Sequence, residues 1–395
     1  MTEAAGPTRP KPLAGVRVLD LTRLLPGPMA TLHLADLGAD VVKIEDTGAG
    51  DYARAMGHGT PGMSDFFRVL NRNKRAMRLD LKHPRGRDVF LRLAERADVV
   101  IESFRPGVMA KLGLGHDALA ARNPRIVVCA ITGYGQDGPY RDRAGHDINY
   151  MGYAGVGNEI GAEDGPPVVP NFQIADLLGG ALVPAMGVLA ALLDARATGR
   201  GRFVDVAMTD AVLAHAILPL LGVLEHGATP PRGTGMLSGG LACYNRYRTR
   251  DGRWMAVGAL ERKFWERLCD ILRCPELKAS HVVYGEPARA AKEKLAAAFA
   301  ARTQAEWTAV FAAEDCCVSP VLEMHEALAD PQLRARGMIV GDAEPEGFAL
   351  PVKMSEFEFD PGSPAPATGE HTAEVLREAG YAASDIEALR REGVI

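Results

Sequence analysis

The sequence predicts an α/β protein: a parallel sheet covered by helices, joined to a second, smaller α+β domain. Three observations predict it. Short β-branched runs alternate with apolar helical stretches through the first half of the chain, and a strand, a crossover helix and a further strand at that spacing form a parallel βαβ unit. A stretch rich in Gly, Pro and Thr, residues 227–240, then interrupts the pattern. Beyond it the texture changes to a hairpin signal around Asp251-Gly252, followed by helices.

In chain order, residues 16–21 read as a strand, broken by Pro26-Gly27-Pro28. Residues 29–37 read as a helix closed by Gly38, and 40–44 as the next strand. Strands follow over 76–81, 98–101 and 125–131, with a helix over 84–97 that carries a proline in its first turn. Residues 177–195 form an apolar core helix, 202–206 a strand and 209–225 another apolar helix. The hairpin pairs 244–250 with 253–257, and helices are expected over 262–272, 287–302 and 305–313. A Pro-rich connector, 361–368, leads to two short helical stretches. The expected division is a large domain over 1–226, a linker over 227–240, a small domain over 241–337 and a return to the large domain over 338–395.

The length of 395 residues exceeds what a single core usually serves, which also argues for two domains. A hydrophobic fraction of 47% and a charged fraction of 24% are those of an ordinary globular chain. A net charge of -5 gives no global attraction to nucleic acid or to an anionic membrane, so neither is expected as a partner. No run of about 18 apolar residues stands out, and no membrane span is expected. Residues 1–11 are polar and lack an apolar core, so no secretory signal is expected. The 6 cysteines show no metal spacing and read as reduced thiols of a cytoplasmic protein; no metal is expected. No Gly-x-Gly-x-x-Gly follows any strand, which argues against a nicotinamide dehydrogenase.

Several residues could carry chemistry. His146 follows a glycine-rich loop, 132–139, beyond the C-terminal end of a predicted parallel strand, where open α/β sheets bind ligands. Gly145 leaves the backbone beside it uncrowded. Asp176 stands directly before a helix, as an N-cap or as a base or nucleophile whose ionised form the helix terminus favours. Gly179 and Gly180 would let a ligand approach, and free N–H groups there could receive an oxyanion. Glu261, at a strand end before a helix, is a first-turn acid or the orienting partner of an imidazole. Arg72, Lys74, Arg75, Arg78 and Lys82 form a solvated face or a phosphate site. Phe104-Arg105-Pro106-Gly107 sets an aromatic ring and a cation at the sheet edge where an adenine nucleotide lies in such an architecture.

These residues stand inside longer matches: Pro26-Gly27-Pro28, the run 34–45 (LADLGADVVKIE), Asn71-Arg72-Asn73-Lys74-Arg75, Leu79-Asp80-Leu81-Lys82, Phe104 to Gly107, and Gly369-Glu370-His371-Thr372. In that order they resemble the family III CoA-transferase superfamily over essentially the whole chain. The superfamily contains CoA-transferases, which use an Asp at the Asp176 position as a nucleophile, and α-methylacyl-CoA racemases, which pair it with a His. Gly145-His146-Asp147-Ile148-Asn149-Tyr150, Val257-Gly258-Ala259 followed by Glu261, and Met236-Leu237-Ser238-Gly239-Gly240 (with Ser238 where the racemase motif has Asp) resemble the racemase branch.

The resemblance implies a Rossmann-like CoA-binding large domain built from both chain ends, an inserted smaller domain, and an interlocked homodimer. It implies His146, Asp176 and Glu261 as catalytic residues. For CoA it implies Lys43, Leu79, Asp80, Leu81, Lys82, Ser103, Phe104, Arg105, Lys111, Ala144, Gly145 and Asp147. The expected activity is 1,1-proton transfer at the α-carbon of a 2-methylacyl-CoA, with no cofactor beyond the CoA moiety of the substrate. The alternative is CoA transfer between carboxylic acids. Asp46 stands where relatives often carry an Arg that reaches a CoA phosphate, so that contact moves to Lys43 or Arg54 or is lost.

Overall fold

The computed structural model describes residues 9–341 and 346–395. Residues 1–8 of the polar stretch 1–11 and the short stretch 342–345 lie outside the described residues. Two compact units are present. Of the described residues, one comprises those within Met1–Ala154, Phe172–His215 and Pro331–Ile395; the other comprises Gly155–Asn171 and Ala216–Asp330. The expected linker, 227–240, thus lies inside the second unit, and the chain enters that unit once before it, at Gly155.

The first unit is built on six strands: β1 Arg17–Leu21, β2 Asp40–Glu45, β3 Lys74–Arg78, β4 Val99–Glu102, β5 Val127–Thr132 and β6 Phe203–Ala207. They pair in the order β3-β2-β1-β4-β5-β6, every pair parallel. Helices cover both faces of such a sheet, which is why β1, β2, β4 and β5 are almost wholly buried. The order reverses between β1 and β4, and a crevice outside the strand C-termini opens at such a point.

Strand β3 is displaced from the expected 76–81. It ends at Arg78 because the chain then turns, with the Leu79 N–H on the Glu45 carbonyl and the Asp80 N–H on the Val394 carbonyl. Four of the five basic side chains around it are taken up by protein partners. Arg72 pairs with Asp36, Lys74 with Asp20, and Arg75 with Asp40, Glu374 and Glu378; Arg78 donates to the Thr47 carbonyl. Lys82 alone of the five is exposed.

The helix expected over 177–195 is longer. A π-helical segment, Ala175–Leu182, runs on into Val183–Thr198, with Pro184, which has no N–H to donate, at the junction. Within this 24-residue stretch an 18-residue window reaches a mean hydropathy of 1.9, so by length and composition alone one helix is apolar enough to cross a membrane. It packs on β5, β6 and the helix Pro26–Asp36, as a core helix does. The expected helix 209–225 is two helices, Met208–Ala214 and Ile217–His226, interrupted at His215 and Ala216.

The second unit carries an antiparallel sheet of β7 Tyr244–Arg248, β8 Trp254–Gly258 and β9 Val318–Pro320, with β8 central. The hairpin was legible; β9 is too short for a periodic signal. One face of the sheet, with Tyr247, Met255 and Val257, enters a core shared with Trp265, Phe299 and Trp307.

Candidate active site

The C-terminal ends of β1, β4, β5 and β6 open into a cleft of about 630 Å³. Arg23, Leu24 and Pro26 line it after β1, Ser103 to Pro106 after β4, Gly133 and Tyr134 after β5, and Met208 after β6. His146 and Asp176 line the same cleft. Thirty positions apart in sequence, they are tied by the residue between them in space. Asp147, next to His146, accepts the backbone N–H groups of Ala175 at 2.7 Å and Asp176 at 3.1 Å. One carboxylate thus fixes the start of the π-helical segment to the helix Asp147–Tyr153 that His146 precedes.

Asp176 is therefore not an N-cap; it sits inside the first turn, and Asp147 supplies the capping carboxylate. Burial and the neighbouring Asp147 charge push its carboxyl up to about 6, with His146 pulling in the opposite direction. A helix terminus whose free N–H groups are already taken by a carboxylate gives its own first-turn acid little help in ionising. The same bonds remove the oxyanion donors expected there: the N–H groups of Ala175 and Asp176 go to Asp147, and that of Leu177 to the Gln173 carbonyl.

Gly145 is required for a different reason from the one expected. A Cβ there would stand 2.6 Å from the Tyr150 ring and 2.9 Å from the Tyr134 hydroxyl. Tyr150 packs under the His146 loop and donates its hydroxyl to the Gly145 carbonyl. Burial, then the Asp176 charge, pushes that phenol up to about 12, so it stays a donor. Gly180 likewise faces protein, not ligand: a Cβ would meet Pro26 at 2.3 Å. Tyr134 lies edge-on to Tyr140, Tyr150 and Tyr153, and Arg143 sits 3.9 Å over the Tyr140 ring. This aromatic wall was missed in the sequence, although four of the 9 tyrosines crowd between residues 134 and 153.

The cationic side is also different from expectation. Lys43 is fully buried, with its ammonium 2.8 Å from Asp51 and bonded to the Thr22 carbonyl, so it does not reach a ligand. Arg54 is buried against Glu45 at 2.6 Å. Leu79 is a core side chain, 1% exposed, and the Asp80 carboxylate accepts the Lys82 N–H. Leu81 packs partly on that core, and Lys111 is exposed at the end of the short helix Val108–Lys111. Asp147, as above, clamps backbone. Ser103, Phe104, Arg105, Ala144 and Gly145 do line the cleft. So do Arg23, Arg141 and Arg143, none of them singled out from sequence. Arg23 lies 5.5 Å from the Tyr52 ring centroid, 5.6 Å from that of Phe104, and 3.7 Å from Asp46. Glu261 belongs to the second unit, exposed at the N-cap of Arg262–Ile271.

Comparison with known proteins agrees with this architecture. A crystal structure of a CAIB/BAIF family protein from Brucella suis superposes with a TM-score of 0.82 at 30% identity, over 94% of this chain and 100% of that one. The chain is 36% identical to the alpha-methylacyl-CoA racemase of Homo sapiens, covering 97% of each. It is 34% identical to the succinyl-CoA:glutarate CoA-transferase of Mus musculus, covering 98% of this chain and 90% of that protein. Residues 13–372 match the family described as CoA-transferase family III. With that match over most of its length, and with both racemases and CoA-transferases among its relatives, the chain belongs to the enzymes of CoA-transferase family III.

Proposed function

We propose that the protein is a racemase or epimerase of 2-methylacyl-CoA thioesters. The observation that carries the reading is that His146 and Asp176 face one cleft, with the Asp176 carboxyl pushed up to about 6. A thioester α-proton is weakly acidic, and its removal near neutral pH calls for a base whose own pKa is close to that pH. In one direction ionised Asp176 takes the proton; the C–H electron pair moves into the enolate, and protonated His146 returns a proton to the other face. In the reverse direction neutral His146 takes the proton and protonated Asp176 returns it. Glu261 is assigned, from the resemblance alone, to orient the imidazole. A single enantiomer of a 2-methylacyl-CoA, incubated with no acceptor acid, is expected to become a mixture of both on chiral chromatography. Retention of configuration, with CoA moving only when a free acid is supplied, contradicts the reading and favours the transferase chemistry of the 34% identical relative.

The nucleotide end of the thioester belongs, on this reading, at the Phe104–Arg105 edge of the cleft. There Arg23 supplies the cation that Asp46 does not. Arg23→Ala is expected to raise KM for acyl-CoA about tenfold, the value of one charge-assisted hydrogen bond, and to leave KM for the acyl-pantetheine fragment unchanged. Equal effects on both assign Arg23 to structure. The partner is a second copy of the chain: the helix Ile217–His226 buries none of its residues, and Ile217, Leu220 and Leu224 are exposed. Sedimentation at the mass of a monomer contradicts this.

A further inference from the structure

The chain leaves β1 through Thr22, Arg23 and Leu24 in an unusual conformation. Leu24 has a φ of 65°. That left-handed region is costly for a leucine, and the cost persists only where the surroundings impose it. Of the five non-glycine residues with positive φ among the described residues, Leu24 is the one that lines the cleft of the first unit. The surroundings that impose the conformation are buried ions. Asp20 accepts the Thr22 N–H at 2.9 Å and the Thr22 hydroxyl at 2.6 Å. The Lys43 ammonium donates to the Thr22 carbonyl at 2.9 Å, and Asp51 accepts the Leu24 N–H at 3.0 Å. The backbone is thus gripped on both sides of Arg23, whose side chain is left to the cleft.

Lys43, on β2, and Asp51 are one pair, 2.8 Å apart with both side chains fully buried. Burial opposes the Lys43 charge, but the carboxylates of Asp20, Asp51 and Glu45 outweigh it and hold the ammonium above its usual pKa. The Asp51 carboxylate also accepts the Ala53 N–H at 3.0 Å and so caps the short helical turn Tyr52–Ala55. Tyr52 is the residue whose ring centroid lies 5.5 Å from the Arg23 guanidinium. One carboxylate therefore sets both the loop that carries Arg23 and the ring beside it. A buried ion pair adds little net stability, because desolvation offsets its attraction. What this pair supplies is a fixed place for three backbone groups: the Thr22 carbonyl and the N–H groups of Leu24 and Ala53.

We propose that Lys43 and Asp51 are positioning residues for acyl-CoA binding, holding Thr22 to Leu24 in the conformation that presents Arg23 to the nucleotide end of the thioester. Lys43, a CoA contact by resemblance, then acts on CoA only through Arg23. The inference rests on the placement of the nucleotide at the Phe104–Arg105 edge of the cleft. It is indifferent to the choice between proton transfer and CoA transfer, since either chemistry starts from a CoA thioester.

The test is calorimetric titration of the full-length protein with CoA, beside hydrogen exchange of the segment 22–25. Lys43→Met/Asp51→Leu removes both charges together. Asp20 keeps Lys74 and Glu45 keeps Arg54, so no buried ion is left alone. This variant is expected to weaken CoA binding about tenfold, as Arg23→Ala does. Adding Arg23→Ala to it is expected to bring no further loss, because both changes remove one contact. Lys43→Met/Asp51→Asn keeps an acceptor for Leu24 and Ala53 and is expected to recover part of the affinity. Losses that add when Arg23→Ala is combined assign the pair to the stability of the fold and overturn the proposal. Wild-type CoA affinity in Lys43→Met/Asp51→Leu overturns it equally. The exchange measurement needs no variant: the Thr22 and Leu24 amides of the wild type are expected to be protected like those of β1, and free exchange there contradicts the grip. Failure of the underlying placement looks different. Arg23→Ala with wild-type CoA affinity takes the nucleotide away from Arg23, and the positioning role falls with it.

Discussion

His146→Ala is expected to lower α-proton exchange by about 10²–10⁴-fold, the usual contribution of a general acid–base group. The fold has no reason to respond. The bond that caps the helix Asp147–Tyr153 runs from the His146 backbone N–H to the Asn149 side chain at 3.0 Å, and alanine keeps it. The clamp from Asp147 to Ala175 and Asp176 is also retained. Affinity for the thioester should therefore stay within about twofold, because the groups proposed to hold the nucleotide lie elsewhere along the cleft. A loss confined to kcat supports His146 as a proton-transfer group. Wild-type exchange by the variant removes His146 from the mechanism.

Asp176→Asn is expected to abolish exchange and, at the same time, to stabilise the protein at neutral pH. The carboxyl is raised from 3.8 to about 6 on folding, so the folded state binds more protons than the unfolded state between those values. Stability from this group is complete below about pH 4 and is lost as pH rises through about 6. At pH 7 the ionised carboxylate therefore costs the fold, by about 1–2 kcal/mol after discounting for its partial exposure. The variant's gain in Tm should be present at pH 7 and shrink toward pH 4. Catalysis that needs ionised Asp176 fails in the same window, so the proton-abstraction rate in that direction should fall below about pH 6. A variant that is less stable than wild type at pH 7 contradicts the assigned environment of Asp176.

The sheet was legible because parallel strands buried on both faces are mostly apolar, as Val99-Val100-Ile101 in β4 and Val127 to Ile131 in β5 are. The position of His146 followed from the same logic, since it needed only a strand end and a loop beyond it. What the sequence hid is the direction of side chains. Lys43 lies in a strand whose two faces are both covered, so it is buried whatever its charge, and Asp51 is brought to it only by the tertiary fold. The side chains of Leu79 and Asp147 serve the core and a backbone clamp. The break at His215 and Ala216 was announced by Pro219, which has no N–H to give the His215 carbonyl and can stand only in the first turn of a new helix. Arg23 escaped notice because its neighbours Tyr52, Phe104 and Asp46 are far from it in sequence.

The central claim is that the reacting bond is the α-carbon–hydrogen bond and that the thioester stays intact. A chiral 2-methylacyl-CoA incubated in deuterated water, with no free acid, tests it most directly by mass spectrometry of the recovered thioester. One deuterium is expected at the α-carbon, appearing at a rate comparable to loss of chirality and absent in Asp176→Asn. Recovery of unlabelled substrate of unchanged configuration, with CoA moving to an added carboxylic acid, would contradict it.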